Sequence, residues 1–268
     1  MKARVLGVVL SVLAILPMAI YNSGCKSRTA LTDDPCKDQE LSRRGCQARI
    51  QALKEQAEEQ KKATEERDRL NSLAKGDPNT PDSQFVELNS GYQLATLFYS
   101  LSGMPPDYEA LTAAASEEYR STSDEFRKRD LMQAMRPKID AQLASYKDPR
   151  NRYLRIVIAN SLPLGHYDFN SRSFPLTTEL DPDHYLYFND ASKYSVSYSN
   201  GSSFQKYPVS DEQRAKELEG LVTKNQTWGG SATAYLFMQA ADTSNNRVDA
   251  QILHVVLEQS GHREIGRY

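Results

Sequence analysis

The sequence predicts an α+β fold: an N-terminal membrane signal or anchor, a long polar helix, then a helical layer on a mostly antiparallel β-sheet. Three observations carry this expectation. An apolar run opens the chain, and helix-forming residues with helical periodicity dominate to about residue 148. From Tyr153 the pattern changes to short β-branched and aromatic runs separated by polar turns. Helices followed by strands is the order expected of an α+β domain. The corresponding divisions are residues 1–25 as signal or anchor, 26–84 as polar helical spacer and linker, and 85–268 as globular domain.

Lys2 and Arg4 precede an apolar stretch over residues 5–21, a basic start and an apolar core of the kind that directs export. Its 17 residues lie at the short limit for a spanning helix. Ser23-Gly24-Cys25 is similar to the end of a bacterial lipobox, with Cys25 as the lipidated residue. Asn22 departs from that pattern, which has an aliphatic residue there. Lipidation at Cys25, an uncleaved anchor and simple secretion therefore stay open. In each case Lys2 and Arg4 hold the N-terminus inside.

The chain has three cysteines, Cys25, Cys36 and Cys46. If Cys25 carries lipid, Cys36 and Cys46 are left to pair in an oxidising compartment. A loop that short contributes about 2–3 kcal/mol. The alternative is two free thiols.

Residues 37–75 are rich in Glu, Lys, Arg, Gln and Ala, all strong helix formers. Glu58–Lys62 and Glu65–Arg69 are pairs four apart with the acid first, the favourable order. Ile50, Leu53 and Ala57 begin a heptad that Gln60, Thr64 and Arg67 do not continue. A solvated helix of about 55–60 Å is the simpler expectation than a coiled coil. Gly76, Pro78 and Pro81 stop it.

In the globular part, residues 92–101 are apolar almost all round and predict a buried helix. A second helix is expected over 108–119, and a capping-box spacing at residues 122–125 opens a third. Leu131, Met135, Ile139 and Leu143 form its apolar stripe, and Pro137 is expected to kink or divide it. Strands are expected at 153–159, within 164–174, and at 185–188, 194–198, 232–241, 248–258 and 264–268. One helix, from Ser210 to about Lys224, interrupts them. Residues 244–246 make the last two long strands a hairpin.

Phe98-Tyr99, the run from Pro105 to Glu109 and the run from Gly165 to Phe169 resemble segments of uncharacterised bacterial envelope lipoproteins of unknown function. The resemblance covers roughly residues 85–268 and implies no activity or site.

A net charge of −2 disfavours polyanion binding, so nucleic acid is not an expected partner. No nucleophile elbow or phosphate loop occurs, and Glu117 and Glu118 are adjacent on a helix and so point apart. His166 and Asp168 fall on one face of an expected strand, with Asp183 and His184 close together later. If the two segments met, His166, Asp168, Asp183 and His184 would supply a His₂–carboxylate metal set. Aromatic residues crowd residues 167–207, and Tyr167, Tyr185, Tyr187, Tyr194 and Tyr198 are the candidates for stacking on a sugar ring or a partner peptide. The competing explanation is that Tyr simply favours strands.

The expectation is an exported, membrane-associated chain on the periplasmic face of a bacterial membrane, more a non-enzymatic interaction or structural module than an enzyme. Its expected partners are the membrane, through the N-terminus, and an envelope protein; no cofactor is expected. A glycan or small-ligand binding domain using the Tyr-rich sheet is the alternative, and a metal-dependent hydrolase comes after it.

Overall fold

A computed structural model describes residues 43–178, 180, 184–224, 228–259 and 263–268. The chain divides into two compact units, residues 1–64 and 65–268. Residues 1–25, Cys36 and the side chain of Cys46 lie outside the described residues, and with them the expectations on anchor, lipidation and disulfide. Among the described residues no helix is long and apolar enough to cross a membrane.

Helix α1 spans Arg43–Ser72. Its described side chains in the first unit are exposed apart from a half-buried Ile50, as a polar composition requires. The second unit is helices plus a curled, mostly antiparallel sheet, as expected. Helix α2, Gly91–Ser102, is its buried pillar. Ser90 caps it by accepting from the Gln93 N–H, and Gly103 ends it at a φ of 67°. Leu94, Leu97 and Phe98 are almost wholly inaccessible.

The second expected helix is two: α3, Tyr108–Ala115, and α4, Glu117–Ser121. Ser116 closes one and caps the other, accepting from the Tyr119 N–H in an extended conformation. A serine before two glutamates is a helix start, and it wins over the apolar spacing that runs through it. Helix α5, Glu125–Ser145, is capped by Asp124 and runs through Pro137 undivided. Of its expected stripe only Ile139 is fully buried, while Met135 and Leu143 pack partly against the core. Helix α6, Glu212–Thr223, starts from Asp211, whose side chain accepts from the Arg214 N–H.

The strands are β1 Val86–Glu87, β2 Tyr153–Ser161, β3 Ser173–Pro175, β4 Tyr185–Tyr187, β5 Ser195–Tyr198, β6 Lys206–Pro208, β7 Trp228–Asp242, β8 Arg247–Gln259 and β9 Arg263–Arg267. The main sheet has the order β1-β2-β7-β8-β5-β4, with β9 also on β8, and β3 pairs with β6 separately. Only β1–β2 and β5–β8 are parallel. The free side of β8 is shared: β5 takes residues 247–250 and β9 takes 256–259. Bulges interrupt the β7–β8 register between Tyr235 and Leu236 and again between Met238 and Ala240. The first changes the inward phase of β8, so Val248, Ala250 and Ile252 are buried before it and Val255 and Leu257 after it. Extra residues of this kind bend a strand and raise its twist, which curls the sheet.

Residues 65–85 belong to the sheet unit, although helix and breaker composition assigns most of them to the spacer. Arg69 Nη1 lies 2.6 Å from Asp249 Oδ2, and the Gly76 N–H donates to Gln251 Oε1. The Asp77 N–H donates to the Tyr153 hydroxyl, and Gln239 Nε2 donates to the Ala74 carbonyl. Phe85 meets Tyr153, Tyr235 and His254 edge-on. The Gly-Pro breakers do end the helix, and the residues beyond them cover one sheet face.

Candidate functional site: the aromatic seam of the curled sheet

Strand β4 is the outermost strand at one end of the sheet, and β2 carries the two-residue β1 at the other. Curling brings these ends to a common gap. One hollow of about 400 Å³ is lined by Ile158 of β2 together with Tyr185, Leu186 and Tyr187 of β4, and by Thr177 and Thr178 at its rim. A second, of about 310 Å³, is lined by Leu88, Ile156 and Val157 on one side and Leu186, Tyr187 and Phe188 on the other.

Local chemistry holds β4 in place. Tyr185, Leu186 and Tyr187 pair antiparallel with Ser197, Val196 and Ser195. Just beyond, Asp190 accepts from the Gly91 and Tyr92 N–H groups at the start of α2. A carboxylate at a helix N-terminus satisfies donors that have no partner in the helix and meets its positive end. The close approach requires Gly91, since an added Cβ would stand 2.6 Å from the Ala191 Cβ. The Tyr194 hydroxyl donates to the Tyr99 hydroxyl at 2.9 Å and ties the same loop to α2.

The five candidate tyrosines separate by environment. Tyr185 and Tyr187 are 60% and 52% exposed and stand on the same face of β4. Tyr194 and Tyr198 belong to the core, and burial pushes both phenols up, with the Tyr99 hydrogen bond adding to the effect at Tyr194. Tyr198 still forms part of the first hollow's floor. Tyr167 lies elsewhere: its hydroxyl donates to the Val209 carbonyl and its ring meets Phe169 and Phe174. Phe169 is 82% exposed beside α6. Among the described residues the exposed aromatics are thus Tyr185 and Tyr187 on β4, Phe169 at the β3 turn and Phe126 on α5.

Asp183 lies outside the described residues, and the other three candidate metal ligands have separate surroundings. His166 Nδ1 is 2.7 Å from Glu219 Oε1, a partner on α6. Burial pushes the Glu219 carboxyl up, but bonds from His166, the Tyr167 N–H and Thr223 outweigh it and hold it below the usual range. Asp168 shapes its own turn, accepting from the Asn170 N–H and the Ser171 hydroxyl, which lower its pKa. His184 borders the first hollow of the seam. Among the described residues no three His, Cys, Asp or Glu side chains converge as a metal set.

Two charged clusters have no sequence motif behind them. Asp249, 1% exposed on β8, accepts from Arg69 and from the Ser197 hydroxyl. On the outer face of β8, His254 stacks on Tyr235 at 4.2 Å between ring centres. Its Nε2 lies 3.1 Å from Asp82 Oδ1 and 3.0 Å from Arg267 Nη1. Arg267 also donates to both Asp82 oxygens. The available signal for the first cluster is Asp249 itself, an acid between the apolar residues Val248 and Ala250 of an expected strand.

No protein-family model matches the chain, and comparison with curated proteins and with solved structures finds no similar protein.

Proposed function

We propose that the chain is a non-enzymatic binding module of the bacterial envelope, tethered by its N-terminal segment, with the seam beside β4 as its contact surface for a protein partner. The observation that carries the reading is the pair Tyr185 and Tyr187. They are large, exposed and adjacent on the outermost strand, beside a hollow lined by both apolar and polar residues. Tyrosine in such a place supplies contact area at small conformational cost and a hydroxyl for hydrogen bonding. The tether rests on the basic residues Lys2 and Arg4, the apolar residues 5–21 and Cys25.

A second reading is supported by the rim of the same hollow. Thr177 and Thr178 lie near the two exposed rings, and polar groups beside an aromatic platform also suit a glycan. A photo-crosslinking amino acid in place of Tyr187, in the full chain inside its own cells, tests the first reading. A discrete, protease-sensitive adduct that is absent from the same substitution at exposed Phe126 is the expected result. Adducts no different between the two positions would overturn it.

A further inference from the structure

We propose that the seam receives an extended segment of the partner protein, which adds as a strand between β2 and β4 and closes the curled sheet. The inference rests on the reading of the domain as a protein-binding module and names the form its partner takes.

The backbone is the main argument. Strand β4 pairs only with β5. Strand β1 pairs with β2 only at Leu154 and Arg155, with the Leu88 N–H added on the Arg155 carbonyl. Beyond that point β2 pairs only with β7. Among the described residues, then, the outward N–H and C=O groups of β4 and of residues 157–159 have no backbone partner. A row of unpaired peptide groups is a template for another strand, and natural proteins guard such edges with charges or proline. Here β4 reads Tyr-Leu-Tyr and residues 157–159 read Val-Ile-Ala, without charge or proline; the guards present are the shortness of β4, a bulge in β2 between Val157 and Ala159, and Glu87 beside the second hollow.

Both edges border the same gap. Val157 and Tyr187 line one hollow, and Ile158 and Tyr185 line the other. An extended peptide answers both rows at once. A glycan's hydroxyl groups do not reproduce the N–H and C=O series with which a strand answers such an edge.

Topology adds a direction. Strand β2 is antiparallel to β7, β7 to β8, and β4 to β5, while β5 is parallel to β8. Hence β2 and β4 run in opposite senses. An inserted strand is parallel to one edge and antiparallel to the other, and the two ladders differ in hydrogen-bond pattern. Alternate side chains of the peptide meet the apolar side formed by Ile156, Ile158 and Leu186, and the others lie beside Tyr185 and Tyr187. Main-chain bonds supply affinity and the alternating positions supply selectivity.

The probe is a synthetic peptide enriched from a random phage-displayed library on the full chain, used in fluorescence anisotropy and hydrogen exchange. Binding is expected to protect the outward amides of β4 and of residues 157–159 together. N-methylation of one alternating set of peptide amides is expected to weaken binding about tenfold per bonded site, and the other set much less. Tyr185→Ser/Tyr187→Ser is expected to weaken binding while the unfolding midpoint stays put. Protection of only one edge, indifference to N-methylation, or failure to enrich any peptide would overturn strand insertion. A positive crosslink at Tyr187 alongside such a failure leaves the binding module standing without the strand. If the crosslink fails as well, both readings fall.

Discussion

Arg69 Nη1 lies 2.6 Å from Asp249 Oδ2, joining the last turns of α1 to the carboxylate most deeply buried in the sheet. The Asp249 side chain is 2% exposed and Arg69 35%, so the pair is a buried acid met by a half-exposed base. Burying a charge is costly unless a partner and hydrogen bonds compensate, and here Arg69 and Ser197 do so.

Removing the base alone is the informative change. Arg69→Ala leaves Asp249 with only Ser197 and is expected to destabilise the domain by about 3 kcal/mol, read from urea unfolding. Asp249→Asn in the Arg69→Ala background should restore part of the loss, since it removes the uncompensated charge. A single-variant effect below about 0.5 kcal/mol would contradict the role given to the pair.

Acid should act through His254 and Asp82. Burial lowers the His254 pKa, the Asp82 charge opposes this, and Arg267 reinforces it. As pH falls below about 6.5 the unfolded chain therefore takes up the proton first, and stability declines. The Arg267 hydrogen bond holds the Asp82 carboxyl below its usual range. Its contribution is present above about pH 4 and is lost as pH falls through the lower folded value. In unfolding midpoints measured across this range, His254→Gln should flatten the upper part of the slope and Asp82→Asn the lower. An unchanged profile in both variants would contradict the assignment.

Tyrosines of one short segment should behave oppositely. Tyr187→Ser, at a half-exposed position, is expected to change stability by less than about 0.5 kcal/mol. Tyr198→Ala, in the core, should cost about 3–5 kcal/mol, the range for a large buried aromatic. Tyr194→Phe lies between at about 1 kcal/mol, for the bond to Tyr99. Thermal or urea unfolding of the three variants checks the order.

Gly76 tests whether residues 73–85 belong to the sheet. An added Cβ would meet the Phe237 Cβ at 2.6 Å, a contact that a side-chain rotation cannot relieve. Gly76→Ala is expected to cost about 1–3 kcal/mol. A neutral result would detach this segment from the sheet face.

Much of the fold is legible in the chain because each element announces itself locally. The apolar run that becomes α2, the β-branched start of β2 and the polar turn between β7 and β8 all do so. Pairing is a different matter. Nothing near Ser195 specifies that β5 lies parallel to β8, or that β8 divides one edge between β5 and β9. The breakers at Gly76, Pro78 and Pro81 report where a helix ends, and packing on Phe237 is a tertiary fact they do not encode. The site is only partly readable for the same reason. Tyrosine favours strands on either face, so composition marks all five candidates alike, and only burial separates Tyr185 and Tyr187 from Tyr194 and Tyr198. His166 shows the converse: its partner Glu219 is far along the chain, and no local spacing pairs them.

The tethered binding module is tested most directly by the intact mass and first residue of the mature chain recovered from fractionated cells. The account predicts a membrane-bound chain, beginning at an acylated Cys25 or retaining residues 5–21 as an anchor. An unprocessed chain recovered in the cytoplasmic fraction would contradict it.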